Sequence, residues 1–252
     1  MDFQLTMEIN KMIADIDFKK LVSLIIILLM VFCFRLDSDQ FFQFGLKGGI
    51  NFSSYIGRGS NTAYWEAGSC DNAVKSGLVA GLYYIRSWKK NRFLQIELLY
   101  SIKGAKTSFK SVSYGSGEYY KMTNSWKGNQ NLQYIELPVL MKFLDFPKLP
   151  FKSMSYLGIS PSILINAKAK YNFKFVAEDE LGNITDEYTV KDGSYEIYHS
   201  VKPFNLELIA GLSIQNMRIC FDLRYSLTLI PIDQHGKILN HSFSVTMGVP
   251  FH

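Results

Sequence analysis

The chain has 252 residues and a mass of 28.8 kDa, with 48% hydrophobic, 15% aromatic and only 19% charged residues. That balance excludes a disordered chain, and 7 Pro with no periodic Gly exclude collagen-like or proline-rich fibres. The net charge of +5 comes from Lys and Arg scattered among Asp and Glu, so no basic stripe for nucleic acid forms. The three Cys, without CxxC or CxxxH spacing, give neither a disulfide scaffold nor a metal site.

The first element is an apolar run, Leu21 to Phe34, with one Ser and no charge. It is short for a spanning helix, which needs about 20 apolar residues. Lys19 and Lys20 precede it and polar residues follow at Arg35 to Gln40, the pattern of a cleaved secretory signal. Cleavage is expected near Ser38. This gives two regions, a signal peptide over 1–38 and a β-barrel domain over 39–252. A start at Met7 or Met12 would remove the unusually long, acidic lead-in. Bulky Phe32 ahead of Cys33 argues against a lipoprotein site.

Beyond residue 40 the hydrophobic period is two, the strand signature. Eight strands are expected, at roughly 42–54, 76–88, 93–103, 131–142, 154–167, 203–215, 218–230 and 239–251. The first sets Phe44, Leu46, Ile50 and Phe52 against Gly45, Lys47, Gly49, Asn51 and Ser53. The second is ambiguous, because Leu82-Tyr83-Tyr84-Ile85 is apolar throughout. The seventh sets Phe221, Leu223, Tyr225 and Leu227 against Cys220, Asp222, Arg224 and Ser226, and the eighth repeats that pattern. Long polar connections (about 55–75, 104–130 and 168–202) alternate with short turns such as Lys89 to Arg92 and Asn216-Met217. Long loops on one side and short turns on the other are the layout of outer-membrane barrels. The polar faces carry Gly, Ser, Thr and Asn rather than Lys and Glu, which suits a crowded interior better than a solvated outside. The expected fold is therefore an all-β, eight-stranded, antiparallel, up-and-down transmembrane barrel with apolar faces toward lipid.

The segment Tyr134-Ile135-Glu136-Leu137-Pro138-Val139-Leu140-Met141-Lys142 resembles the "Y-[IL]-E-[IL]-P-[LV]-L-x-K" strand of the PorT-like outer-membrane β-barrel family. Phe44 to Asn51 resembles that family's first strand, and Ala210-Gly211-Leu212 and Leu223-Arg224-Tyr225 its late strands. The resemblance covers about 42–251. It implies an outer-membrane barrel of Gram-negative bacteria, with a founding member that assists protein secretion and relatives mostly without a defined role.

Strand parity puts Lys47, Glu97, Glu136, Lys142, Glu207, Asp222 and Arg224 inside, with Arg218 at the rim. Near-balanced charge in a narrow barrel reads as a structural ion network, because buried charge must be paired. Arg224 is expected to reach Glu136 or Glu97, and Glu136 is expected to share the lumen wall with Lys142. Pro138 lacks a ladder donor and should mark a bulge or irregular pairing. A hydrolase would need a nucleophile and a base. His241 and Ser242 are adjacent and so face opposite ways on a strand, and a loop pair of Asp233 and His235 is a weak alternative. Tyr55, Tyr64, Trp65, Tyr114, Tyr119, Tyr120 and Trp126 crowd the first two long connections, as recognition anchors or as an interfacial girdle. Cys70 and Cys220 are expected at opposite ends of the wall, too far apart to bond.

No catalytic, cofactor or metal site is expected, and no nucleic acid. Expected partners are outer-membrane lipid and envelope or secretion-machinery proteins. Two roles follow: structural or accessory to secretion and envelope assembly, or surface binding through the aromatic loops.

Overall fold

In the computed structural model, residues 42–56, 68–89, 91–115, 120–144, 152–197, 200–216, 219–233 and 238–251 are described. The expected signal peptide, Arg218, His235, Tyr64, Trp65 and Tyr119 lie outside them. Among the described residues twelve strands form one antiparallel sheet: β1 (Phe42–Ile56), β2 (Gly68–Ala73), β3 (Lys75–Lys89), β4 (Arg92–Lys103), β5 (Lys106–Tyr114), β6 (Lys121–Glu136), β7 (Val139–Leu144), β8 (Lys152–Glu178), β9 (Ile184–Glu196), β10 (Phe204–Gln215), β11 (Cys220–Thr228) and β12 (Leu239–Pro250).

Their pairing traces a ring. From β10 the order runs β11, β12, β1, β3, β4, β7, β8, and β8 pairs back onto β10. The first and last strands meet in the register that their alternation demands, from Gly45 opposite Pro250 to Phe52 opposite Phe243, with the Phe251 amide donating to the Phe44 carbonyl at 2.7 Å. The wall is apolar outside and polar inside. On β1, Phe44, Leu46, Ile50 and Phe52 are exposed while Lys47, Asn51 and Ser53 are buried. The ambiguous stretch on β3 resolves the same way, with Leu82 exposed and Tyr83 and Ile85 buried.

Several strands are interrupted rather than ended. β6 and β7 are one wall strand broken at Leu137-Pro138. Its register against β4 stays continuous, from Leu99 opposite Glu136 to Ile96 opposite Val139. The Pro138 carbonyl still accepts the Glu97 amide at 2.9 Å, so proline costs the ladder only the donor it lacks. No bulge forms there, contrary to one form of the expectation. The register shift lies instead at Gln133/Tyr134 against β8. β4 runs into β5 through Gly104-Ala105, both paired to β6. Gly104 has φ +131, and a Cβ there would sit 2.1 Å from the Gln130 carbonyl oxygen, so only glycine fits.

The largest departure concerns the long connections. The segments expected as loops around 104–130 and 168–202 are mostly strand. β5, the first part of β6, the last part of β8, and β9 extend the sheet, with β2 added on β5. β8 alone has 27 residues, roughly 85 Å, whereas a spanning strand needs about 9–11 residues.

Candidate functional site

Two places concentrate polar or recognition chemistry: the barrel interior and the sheet above it.

The interior holds nine charged side chains, each no more than 5% exposed. Lys75 Nζ donates to the Lys103 carbonyl at 3.1 Å, and the other eight fall into two groups. In the first, Lys47 Nζ lies 2.6 Å from Glu97 Oε1 and 2.5 Å from Asp222 Oδ2. Arg224 Nη2 donates to Glu97 Oε2 at 2.7 Å, and Lys142 Nζ donates to Asp222 Oδ1 at 3.2 Å and to Ser213 Oγ at 3.0 Å. The Gln95 amide also donates to Glu97. Tyr156 takes two cations on its ring, with Lys142 Nζ at 5.2 Å and Arg224 Cζ at 5.8 Å from the centroid. Three cations thus share two carboxylates, and an aromatic face absorbs part of the excess.

The second group reverses the ratio. Lys103 Nζ lies 2.6 Å from Glu136 Oε1 and 2.6 Å from Glu207 Oε1. Ser101 donates to Glu136, and the Asn205 amide donates to Glu207 at 3.2 Å. All seven expected interior residues are therefore inside, but they do not form one cluster. Arg224 takes Glu97, whereas Glu136 has Lys103 and Ser101 as its partners and not Lys142 or Arg224. Lys103 and Lys75 were missed. Lys103 ends the expected strand 93–103 and continues the parity of Gln95, Glu97 and Ser101, whereas Lys75 fell in the connection expected before the second strand.

Apolar clusters flank this network. At the short-turn end are Tyr83, Ile85, Phe93 and Met154. At the other end Tyr55, Leu132, Tyr134, Leu164, Ile197, Val201 and Ile232 pack together. Tyr55 is thus a plug residue rather than a surface anchor, and its hydroxyl donates to Gln130 Oε1 at 2.8 Å. The segment around Val201 and Ile232 is drawn in by the Lys202 amide, which donates to the Ile232 carbonyl at 2.7 Å, and by a bridge from Val201 to Asp233. Ser242 is buried and His241 is half-buried on the opposite side, against Tyr225 at 6.1 Å, so the two form no dyad. Cys220 is a free, buried thiol near Ser213, and Cys70 sits in β2 opposite Phe109 of the sheet extension.

The sheet above the ring has two unlike faces. Opposed pairs share a face. One face, continuous with the barrel interior, carries Phe109 opposite Trp126, Trp126 opposite Phe173, Phe175 opposite Tyr188, and Ala169 opposite Tyr195. Phe173 and Tyr188 lie 6.4 Å apart and Tyr171 and Tyr195 5.6 Å apart, ring centre to centre. The other face carries Lys106, Lys110, Lys121, Lys127, Lys168, Lys170 and Lys174 among Asn, Ser and Thr. The alternation that builds both faces is written into Lys168-Ala169-Lys170-Tyr171-Asn172-Phe173-Lys174-Phe175. Charge at every second position hid the strand.

Solved structures that the chain matches include neisserial surface protein A (13% identity, TM-score 0.40, 82% of this chain and 97% of that one). Others are Ail of Yersinia pestis, solved with the heparin analogue sucrose octasulfate (13%, 0.35, 83% and 99%), and OprG of Pseudomonas aeruginosa (12%, 0.34, 83% and 96%). No curated protein matches the sequence. The family profile described as the outer membrane protein beta-barrel domain matches residues 35–234, and the chain, whose strands close into a ring that is apolar outside and charged within, belongs to that family.

Proposed function

We propose that the chain is a non-enzymatic, eight-stranded barrel of the outer membrane. Its interior is a structural core, and its working surface is the aromatic face of the sheet raised above the wall. The observation that carries this reading is the extension itself. Five strand segments continue past the ring and gather Phe109, Trp126, Phe173, Phe175, Tyr188 and Tyr195 on one side. Tyr188 and Tyr195 are 57% and 47% exposed, large rigid groups well suited to anchor a partner. Eight of the nine interior charges are mutually paired between apolar layers, which favours a structural core over a transport path.

The accessory role in secretion or envelope assembly is the second reading. It rests on the PorT-like Tyr134–Lys142 strand and would use the short turns facing the periplasm, such as that at Asn91, whose φ of 62 fixes a tight reversal. The two readings separate in one experiment. A photo-crosslinking residue is placed at Tyr188, at Asn91 or at lipid-facing Leu212 in the full-length protein in its own envelope. Discrete protein adducts from Tyr188 and none from Leu212 support surface docking. Adducts from Asn91 alone support the accessory role and overturn the first reading.

A further inference from the structure

The lysine face points the opposite way from the aromatic one, and its position relates it to the membrane. Along the outward side of β8, Leu157, Ile159 and Ile165 are exposed at 58%, 48% and 49%, and the next outward charges are Lys168 and Lys170. Lys170 is five residues beyond Ile165, roughly 16 Å along the strand, or about 12 Å of height at the usual barrel tilt. Head groups occupy about the first 5–8 Å above the hydrocarbon, and a lysine stem reaches back to them. The register sets Lys106 and Lys170 on either side of Asn129, and Lys127 one step along beside Asn172. Strand spacing makes a triangle of lysine Cα positions with sides of roughly 8–10 Å.

Lys121 and Lys174 are neutralised by Glu178 at 2.8 Å and Glu187 at 2.7 Å. Lys106, Lys127 and Lys170 form no ion pair with any residue whose side chain is described, and neither do Lys110 or Lys168, although Lys168 lies opposite Glu196. A lysine triad interleaved with amide and hydroxyl side chains fits an anion rich in both charge and hydrogen-bonding oxygen. Because this face continues the lipid-facing side of the wall, we infer that Lys106, Lys127 and Lys170 bind the phosphorylated saccharide head groups of outer-leaflet lipids. They would clamp the base of the extension to the membrane surface and leave the aromatic face free. The inference is independent of what the aromatic face docks.

The test uses the folded full-length barrel in zwitterionic detergent, titrated with diphosphoryl lipid A, with the same lipid after phosphate removal, or with a soluble sulfated polysaccharide. Binding is read as the rise in the heat-modifiable gel transition and as phosphate retained per barrel. Each lysine near an anionic surface is worth about fivefold in affinity, so Lys106→Gln, Lys127→Gln and Lys170→Gln together should weaken lipid A binding roughly a hundredfold. The matching triple Lys→Arg variant should bind like the parent, which guards against a folding artefact. Lys174→Gln should change little. Equal binding of the phosphate-free lipid, equal binding by the triple Gln variant, or tighter binding of the soluble polyanion than of lipid A would overturn the proposal.

Discussion

The strands below and above Gly104 answer the same question in opposite ways. In the wall, β4 turns Glu97, Ser101 and Lys103 inward and Leu98 outward, so charge is hidden and apolar surface displayed. In the extension β5 turns Lys106 and Lys110 outward and Phe109 inward, opposite Trp126 of β6. Strand register is unbroken across the boundary, with the same β6 pairing on both sides. Only the surroundings change, from lipid to water. Period two therefore says that a strand exists and nothing about which face meets solvent. Which residue types take which parity says where the membrane stops.

The comparison breaks most visibly at the charges. Asp222 is the shared counter-ion of Lys47 and Lys142. Asp222→Asn leaves Lys142 without a carboxylate in a site that is 0% exposed. Orphaning a buried charge in this way costs about 3–5 kcal/mol. The expected result is a large fall in the heat-modifiable gel transition. Glu187→Gln breaks an equally short contact to Lys174, but both partners are about half exposed. Such surface pairs contribute about 0–1 kcal/mol, so that transition should hardly move. Equal losses for the two variants would mean that the interior is wet and the two regions are not distinct.

Leu223→Arg and Asn172→Arg test the boundary directly. Both positions face outward, the first in the wall and the second among the lysines of the extension. An arginine on the lipid face near mid-bilayer costs about 2–4 kcal/mol and falls toward zero at the interface. Membrane assembly should fail or slow for Leu223→Arg and proceed for Asn172→Arg. Comparable assembly of both would place the wall outside lipid.

A smaller effect is expected at Gly211. Its Cβ would fall 2.4 Å from the Leu223 carbonyl oxygen and 2.4 Å from the Tyr156 ring, which lies over the glycine. Tyr156 cannot move away without leaving Lys142 and Arg224, so Gly211→Ala should cost about 1–3 kcal/mol by overpacking. A gel transition equal to the parent's would show that the ring is not held by its cations.

The wall was legible in the sequence because lipid forbids charge outside and a narrow interior forces pairing inside, so both faces were biased. That bias put seven charges on the inward parity, and all seven are buried. Parity could not say which cation meets which carboxylate. Arg224, on β11, reaches Glu97 on β4 across the ring, a distance that no strand pattern encodes. The extension was misread for a related reason. Polar residues at every second position in water look like a loop, and only the aromatic alternation from Ala169 to Phe175 marked it as strand. The plug formed by Tyr55, Val201 and Ile232 was illegible, since its members come from three distant segments joined only by the closed ring.

The smallest effect belongs to the tip of the β8–β9 hairpin, the part of the described extension with least support from packing. Asp179 Oδ1 accepts from the Leu181 amide at 2.9 Å and the Asn183 amide at 2.8 Å, and Oδ2 accepts from the Asn183 side chain at 2.9 Å. These donors, with the Asn183 side chain foremost, hold the carboxyl below the ordinary aspartate range. Its contribution is thus fully present above the ordinary pKa and fades as pH falls through the lowered value. Gly182, at φ +84, completes the turn in a conformation that other residues avoid. Amide exchange across 179–190, corrected for intrinsic rates, should therefore speed up as the pH falls below about 4. Asp179→Ala should already exchange at the faster rate at neutral pH and lose the pH dependence, while the gel transition of the barrel stays where it was. A fall in that transition would mean that the extension and the wall unfold as one unit, and the separation argued from Gly104 would fail with it.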